Sequence, residues 1–194
     1  MAAYDLAIAN NFKSAEVYNY KGVSQYRLEK YDSATVNFHD AFKLDPANLQ
    51  YLENYGRALY EAGDYKTAAL QFEFYLKKQA DNSEIHNLIG LCKFNEENFK
   101  GAIKDFTKSI ELNGKEATYF DNRAAAKEMV EDYEGAIKDY SESIRIYPND
   151  ASVFYKRRLI QLLTSKKLEG CMDLATANEM QYEPAKDAIL SNCH

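Results

Sequence analysis

Residues 101–112, GAIKDFTKSIEL, and residues 135–146, GAIKDYSESIRI, are two copies of one segment, 34 residues apart. The same interval connects a column of small residues, which are Ala34, Ala68, Ala102 and Ala136. Four positions further on, it connects a column of aromatic residues, which are Phe38, Phe72, Phe106 and Tyr140. No insertion or deletion separates the copies. Because a constant period of about 20 to 50 residues is typical of repeat architectures, this repeat decides the fold.

Two further columns predict a pair of helices in each unit. The eighth place is small, at Gly22, Gly56, Gly90 and Ala124, and the seventeenth is aromatic, at Tyr31, Tyr65, Phe99 and Tyr133. Small residues at the eighth and twentieth places let two helices approach closely, and the aromatic residue begins the second helix. Pro46 and Pro148 end that helix because proline lacks a backbone donor and restricts the residue before it. A single pair cannot bury its apolar face, so neighbouring pairs must stack.

These columns resemble the tetratricopeptide repeat (TPR) family, whose unit has 34 residues and this pattern of small and aromatic residues. The resemblance covers nearly the whole chain. It implies an all-α fold, a right-handed α-solenoid of stacked helix-turn-helix repeats. We predict one domain with repeats 15–48, 49–82, 83–116, 117–150 and 151–184. In the last repeat, Arg158 replaces the usual small residue and Lys167 the usual aromatic residue. We therefore expect this degenerate repeat to close the array.

Two short segments flank the predicted repeats. Tyr4 and Ala7 occupy the twenty-fourth and twenty-seventh places of a preceding unit, so residues 1–14 are predicted to be the second helix of a truncated repeat. On this interpretation the chain is part of a longer protein, and the exposed flank would offer a route to self-association. At the other end Pro184 is expected to open a capping helix, assigned to residues 185–194.

Cys171 and Cys193 stand at equal distances from a turn predicted near Tyr182. In an antiparallel helix hairpin, equal offsets bring two positions level. A disulfide between them would imply an oxidising compartment, and the alternative is two free thiols near a helical interface. The cysteine pattern also resembles bacterial, envelope-associated members of the family, which favours the periplasm or envelope over the cytoplasm. Cys92 is expected to be a small core residue.

Composition excludes several classes of function. The 194 residues carry a net charge of -6 with a pI near 5.2, whereas a nucleic-acid surface is normally basic. No window approaches the roughly 18 to 20 apolar residues of a membrane span, so we expect no membrane insertion.

The sequence also lacks the usual signatures of catalysis. Of the histidines His39, His86 and His194, His86 is expected to be a packed substitute for an aromatic core residue, and His39 has no partner at metal-ligand spacing, so no metal site is predicted. Glycine-rich phosphate loops, nucleophile elbows and zinc-protease motifs are absent from the sequence. We therefore expect neither a cofactor nor enzymatic activity.

The function predicted from the resemblance is a protein–protein interaction scaffold. Family members line a concave groove with six places of each first helix, which are the second, fifth, sixth, ninth, twelfth and thirteenth, and the resemblance carries these places over to this chain. The selected groove residues are Asn19, Tyr26, Asn54, Arg57, Tyr60, Asn87, Leu91, Phe94 and Asn122. The asparagines would hydrogen-bond the backbone of an extended peptide, and the apolar row would contact its side chains.

Two alternatives to peptide binding stay open. The groove could be merely solvated by its asparagines, and the chain could be a structural spacer or assembly module of a larger envelope or secretion complex. One partner class is excluded: the carboxylate clamp for acidic chaperone tails requires a lysine and an asparagine at the fifth and ninth places of one repeat. The three registers give Asn19/Val23, Glu53/Arg57 and Asn87/Leu91. Only Lys156 supplies a matching basic residue in the third element, so we expect no binding of such tails.

Overall fold

Except for the last one, the helices of the structure begin at intervals of 34 residues, in step with the columns of the sequence. The computed structural model describes residues 13–164 and 167–193, and these residues form helices without strands. The chain divides into two compact units, Met1–Glu97 and Asn98–His194. The first unit contains α1 Ala15–Arg27, α2 Tyr31–Leu44, α3 Leu49–Glu61, α4 Tyr65–Lys78 and α5 Ser83–Asn95. The second contains α6 Phe99–Leu112, α7 Ala117–Glu128, α8 Tyr133–Ile146, α9 Ala151–Leu163, α10 Lys167–Glu179 and α11 Glu183–Asn192.

The helix starts follow the predicted columns. Helices α2, α4, α6 and α8 each begin at the aromatic residue of the seventeenth place, as predicted. Within each unit, every helix packs against the next one in sequence. The structure thus consists of consecutive helix-turn-helix segments. The prediction for residues 1–14, including self-association through that flank, falls mainly on residues 1–12, which lie outside the described residues.

A left-handed residue closes each of the tight turns at the fifteenth place. Glu29, Gly63, Glu97 and Glu131 have φ values of 57°, 85°, 59° and 60°. After Glu29, Gly63 and Glu131, the next residue donates its backbone N–H to the carbonyl five residues earlier, as from Asp132 to Lys127 at 2.9 Å. This bond satisfies a carbonyl that the helix end would leave unpaired. Asp132 also accepts a hydrogen bond from the backbone of Gly135, which caps α8.

Small residues of the eighth place make room for the aromatic rings of the twenty-fourth. A β-carbon added at Gly22 would lie 2.8 Å from the Phe38 ring, and one added at Gly56 would lie 2.6 Å from the Phe72 ring. Phe38 and Phe72 are buried, at 2% and 0% exposure. The glycines are therefore required by the rings opposite them.

Helix α11 covers the apolar end of the second unit. Ala185 packs with Leu174 and Ala177 of α10, and all three are fully buried. Arg158 is also buried, and its guanidinium donates a 3.5 Å hydrogen bond to the carbonyl of Ala188. Burial lowers the pKa of Arg158. The arginine that breaks the small-residue column thus bonds to the closing helix.

Two buried ion pairs recur at the repeat interval in the second unit. Nε and Nη2 of Arg123 donate to the two carboxylate oxygens of Asp139, at 2.8 and 2.7 Å, and Nη1 of Arg123 donates to Thr107. Residues 34 positions later repeat this arrangement: Arg157 binds Asp173 at 2.7 and 2.6 Å and donates to Ser141. Bidentate arginine–carboxylate pairs fix geometry as well as charge. Each of these two ion pairs joins the first helix of a repeat to the second helix of the same repeat.

Candidate functional site

Side chains of the groove places join α1, α3 and α5 of the first unit. Asn54 donates its amide to Asn19 at 2.8 Å, and the Tyr26 hydroxyl donates to Glu61 at 3.4 Å. One repeat later, Asn95 donates to the Tyr60 hydroxyl at 3.1 Å. Each bond connects residues 35 positions apart, that is, one place of a repeat to the following place of the next. The first helices therefore present these side chains on one surface.

A pocket of about 250 Å³ opens on this surface between α1 and α3. Its lining residues are Val23, Tyr26, Arg27, Phe38, Asn54 and Arg57. Five of these six occupy groove places, and the sixth, Phe38, is the core ring of the twenty-fourth place. Drug-sized ligands usually require about 300 to 1,000 Å³, so this pocket suits a single large side chain.

Arg57 is held from two sides by carboxylates. Its Nε donates to Glu53 at 2.9 Å on the same helix, and its Nη2 donates to Glu84 in the first turn of α5. Burial alone would lower the pKa of Arg57, but the hydrogen bonds to Glu84 and Glu53 outweigh it and raise the pKa. The guanidinium is therefore charged and fixed in place beside the pocket.

The two groove tyrosines are also positioned by neighbouring rings. The Tyr26 ring lies 5.3 Å from the Tyr31 ring, edge to face, and the Tyr60 ring lies 5.3 Å from the Tyr65 ring in the same arrangement. Burial raises the pKa of both Tyr26 and Tyr60, and the Glu61 carboxylate adds to the rise at Tyr26. Both hydroxyls are therefore protonated near neutral pH.

The remaining predicted groove residues differ in exposure. Asn87 is 8% exposed, so its amide lies mostly inside the first unit. Leu91 and Phe94 are half-buried on α5. Asn122 is half-buried on α7, which belongs to the second unit. The first unit therefore brings together Asn19, Tyr26, Asn54, Arg57 and Tyr60 as partly accessible groups.

The three cysteines have different roles in the structure. Cys171 and Cys193 form a disulfide between α10 and the end of α11, with their Cα atoms 5.7 Å apart. Cys92 is a buried free thiol in the core of the first unit. Burial raises the pKa of Cys92 to about 12, so this thiol is protonated and unreactive at neutral pH.

The described residues contain neither a metal-binding cluster nor a membrane-spanning helix. In residues 13–164 and 167–193, no three His, Cys, Asp or Glu side chains come together to hold a metal ion. No described helix has both the length and the apolarity needed to cross a membrane.

Sequence reasoning missed several residues of this surface. Phe38 belongs to the predicted aromatic column but not to the predicted groove, although its ring also lines the pocket. Glu84 is not among the selected groove residues, although it accepts a hydrogen bond from Arg57. The repeated ion pairs had a signal in the sequence, since Arg123 and Asp139 recur as Arg157 and Asp173 at the repeat interval.

Comparisons with known proteins agree with this architecture. A family model for the tetratricopeptide repeat matches residues 21–73 and 56–117. A TPR repeat-containing protein of Methanocaldococcus jannaschii is 28% identical over 119 residues, which cover 56% of this chain and 20% of that protein. This chain thus spans about a fifth of that relative's length.

Solved structures share the fold at low sequence identity. A fragment of MamA from Desulfovibrio magneticus has a TM-score of 0.81 at 15% identity, covering 87% of this chain and 96% of the other. YrrB, described as a TPR protein with an unusual peptide-binding site, has a TM-score of 0.73 at 19% identity, covering 96% and 97%. The family matches together span residues 21–117, half of the 194 residues. The chain belongs to the tetratricopeptide repeat family.

Proposed function

We propose that this chain is a non-catalytic scaffold that binds an extended segment of a partner protein along the inner surface of α1, α3 and α5. TPR proteins in general mediate protein–protein interactions, and the proposal assigns that role to this surface. The pocket lined by Tyr26, Asn54 and Arg57 carries the proposal, because it lies where the first helices adjoin. Leu91 and Phe94 extend the proposed contact within the first unit, and Asn87 and Asn122 stay separate predictions from the sequence.

The rigid arrangement of the surface favours binding. Tyr26, Asn54 and Arg57 are each held by hydrogen bonds to a neighbouring helix, so they need not be ordered when a ligand arrives. Avoiding the loss of side-chain entropy strengthens association. Leu91 and Phe94 add apolar area beyond the pocket.

Peptide-display selection tests the proposal. The intact chain is compared with the Asn54→Ala/Tyr60→Ala/Asn122→Ala variant and with a control, Lys104→Ala/Lys138→Ala, which changes exposed residues of α6 and α8. We expect peptides that bind the intact chain and the control but are lost on the groove variant, whose fold is checked by circular dichroism. Equal enrichment by all three chains would contradict groove binding.

One observation favours a second function, that of a spacer or assembly module. The Asn54 amide is already used to bond Asn19, and its carbonyl accepts from Gln50 at 3.1 Å. A groove whose polar groups hold the repeats together needs no ligand. Under this alternative the groove variant loses stability without losing any partner.

The remaining assignments complete the proposal. The partner is a protein or peptide, rather than nucleic acid, a membrane or an acidic chaperone tail, and no cofactor takes part. Repeats 15–48, 49–82, 83–116, 117–150 and 151–184, closed by a C-terminal helix, remain the predicted division of the chain. Calorimetry with an acidic chaperone-tail peptide tests the exclusion: binding that is lost on Lys156→Ala would contradict it.

A further inference from the structure

The next repeat contains a counterpart of the α1–α3 pocket. Adding 34 to the lining residues gives Arg57, Tyr60, Glu61, Phe72, Leu88 and Leu91. The tyrosine and the phenylalanine are retained, so the walls of the two sites are alike. The other four places differ: Val23 and Arg27 correspond to Arg57 and Glu61, and Asn54 and Arg57 correspond to Leu88 and Leu91. The chain therefore offers an internal comparison of an open site with a filled one.

In the counterpart site, leucine side chains pack at the places of Asn54 and Arg57. Leu88 is only 8% exposed and belongs to the buried cluster that includes Phe72. Leu91 and Tyr60 pack against the same cluster. An aliphatic side chain is thus what this combination of a tyrosine and a phenylalanine accommodates within the protein itself. In the α1–α3 pocket the equivalent places hold polar side chains that turn to other partners.

The two arginines that line the α1–α3 pocket differ in whether a carboxylate already neutralises them. Its only charged lining residues are Arg27 and Arg57. Arg57 is already engaged by Glu53 and Glu84. Arg27 is exposed in the last turn of α1 and has no ion pair with a described residue. The rim therefore offers a positive charge, at Arg27, next to an apolar floor formed by Val23 and Phe38.

We propose that the α1–α3 pocket receives one large aliphatic side chain of the partner segment, and that Arg27 binds a side-chain carboxylate adjacent to this anchor. The inference rests on the proposed function and adds the chemistry of the ligand. The apolar anchor contributes hydrophobic burial, and the carboxylate contributes complementarity to the guanidinium. The acidic group lies within the segment, so a free C-terminus is not required.

A defined peptide set tests this chemistry. The probes are C-terminally amidated nonapeptides with Leu-Asp, Ala-Asp, Leu-Asn or Leu-Lys at the centre of otherwise randomised sequences. We expect Leu-Asp peptides to be enriched about tenfold or more over Ala-Asp peptides, and less strongly over Leu-Asn peptides. The same peptides with a free carboxyl end should gain nothing further. Enrichment that requires the free end would overturn the internal-carboxylate proposal.

Two variants separate the anchor from the charge. Asn54→Leu copies the residue of the filled site into the open one, so it should seal the pocket and abolish the preference for Leu-Asp while the chain stays folded. Asn178→Leu makes the same change at an exposed position of α10 and should leave the preference intact. Arg27→Glu changes an exposed residue, so folding is unaffected, and it should turn the preference from Leu-Asp to Leu-Lys.

The outcomes distinguish this inference from the proposed function. Peptides that depend on Asn54 and Tyr60 but carry no aliphatic anchor would leave groove binding standing and overturn the anchor. An unchanged Leu-Asp preference in Arg27→Glu would overturn the role of Arg27. Selection of no groove-dependent peptide at all would overturn the proposed function and the inference with it.

Discussion

At the scale of the residue, each of the first two repeats depends on the match between one glycine and one aromatic ring. Gly56 leaves room for Phe72, and a β-carbon there would lie 2.6 Å from Cε1 and 2.8 Å from Cζ of the ring. In the fourth repeat the pair is Ala124 with Tyr140, both buried. The fourth repeat thus carries a methyl group at this place and still buries its aromatic ring.

Gly56→Ala is expected to destabilise the protein by roughly 1 to 3 kcal/mol, because overpacking outweighs the better helix propensity of alanine. Thermal unfolding followed by circular dichroism measures the loss. Gly114→Ala is the control, since its added β-carbon would meet only the Ile110 carbonyl at 3.4 Å. A higher melting temperature for Gly56→Ala would show that Phe72 can move aside.

The sequence predicted such columns well but not the polar contacts between them. Ala34 and Phe38 could be assigned to the core because burial follows from periodicity. The bonds from Arg57 to Glu53 and Glu84 could not be assigned, because several arginine rotamers reach different acidic neighbours. The sequence also did not predict that Asn87 is only 8% exposed. Its place in the repeat is that of Asn19, which is half-buried, so the place alone does not determine the exposure.

At the scale of the element, the helices begin where the columns predict, and the unusual helix is the last one. Helix α11 packs through Ala185 and is tied to α10 by the Cys171–Cys193 disulfide. Its sequence is short, and helices of about ten residues are marginal without packing. The disulfide therefore supplies a restraint that the apolar contacts of so short a helix do not.

Reduction of the disulfide is expected to increase hydrogen exchange in α11 strongly and in α6 hardly at all. Closing a loop of about 20 residues stabilises the folded state by about 3 kcal/mol in the chain-entropy description. Exchange measured by mass spectrometry with and without reductant checks this. The Cys171→Ser/Cys193→Ser chain should show fast exchange in both conditions. Equal protection of α11 in all samples would mean that packing alone holds it.

At the scale of the whole molecule, stability is distributed over neighbouring contacts. Each helix packs on the next within its unit, and the buried ion pairs hold the two helices of one repeat together. In arrays of this kind a local loss spreads mainly to adjacent repeats. The repeat signal therefore predicted the fold class and the order of the helices. The repeat signal did not predict the open pocket, because most of the pocket's lining places carry residues that differ between repeats.

Arg157→Ala should destabilise the second unit by about 3 to 5 kcal/mol, because it leaves the nearly buried Asp173 carboxylate without its partner. Hydrogen exchange should rise in α9, α10 and α11 and stay unchanged in α1 and α2. Arg145→Ala removes an exposed ion pair with Glu142 and should change stability by less than about 1 kcal/mol. Faster exchange in α1 would contradict local transmission of stability.

The constant turn has a consequence for how such a chain can change its length. Glu29, Gly63, Glu97 and Glu131 take the same backbone conformation although three of them are not glycine, so the turn is set by its place in the repeat. An in-frame duplication of any 34 consecutive codons would therefore join a helix end to a helix start already suited to each other. Genes of this type can lengthen by whole repeats without a new junction having to evolve.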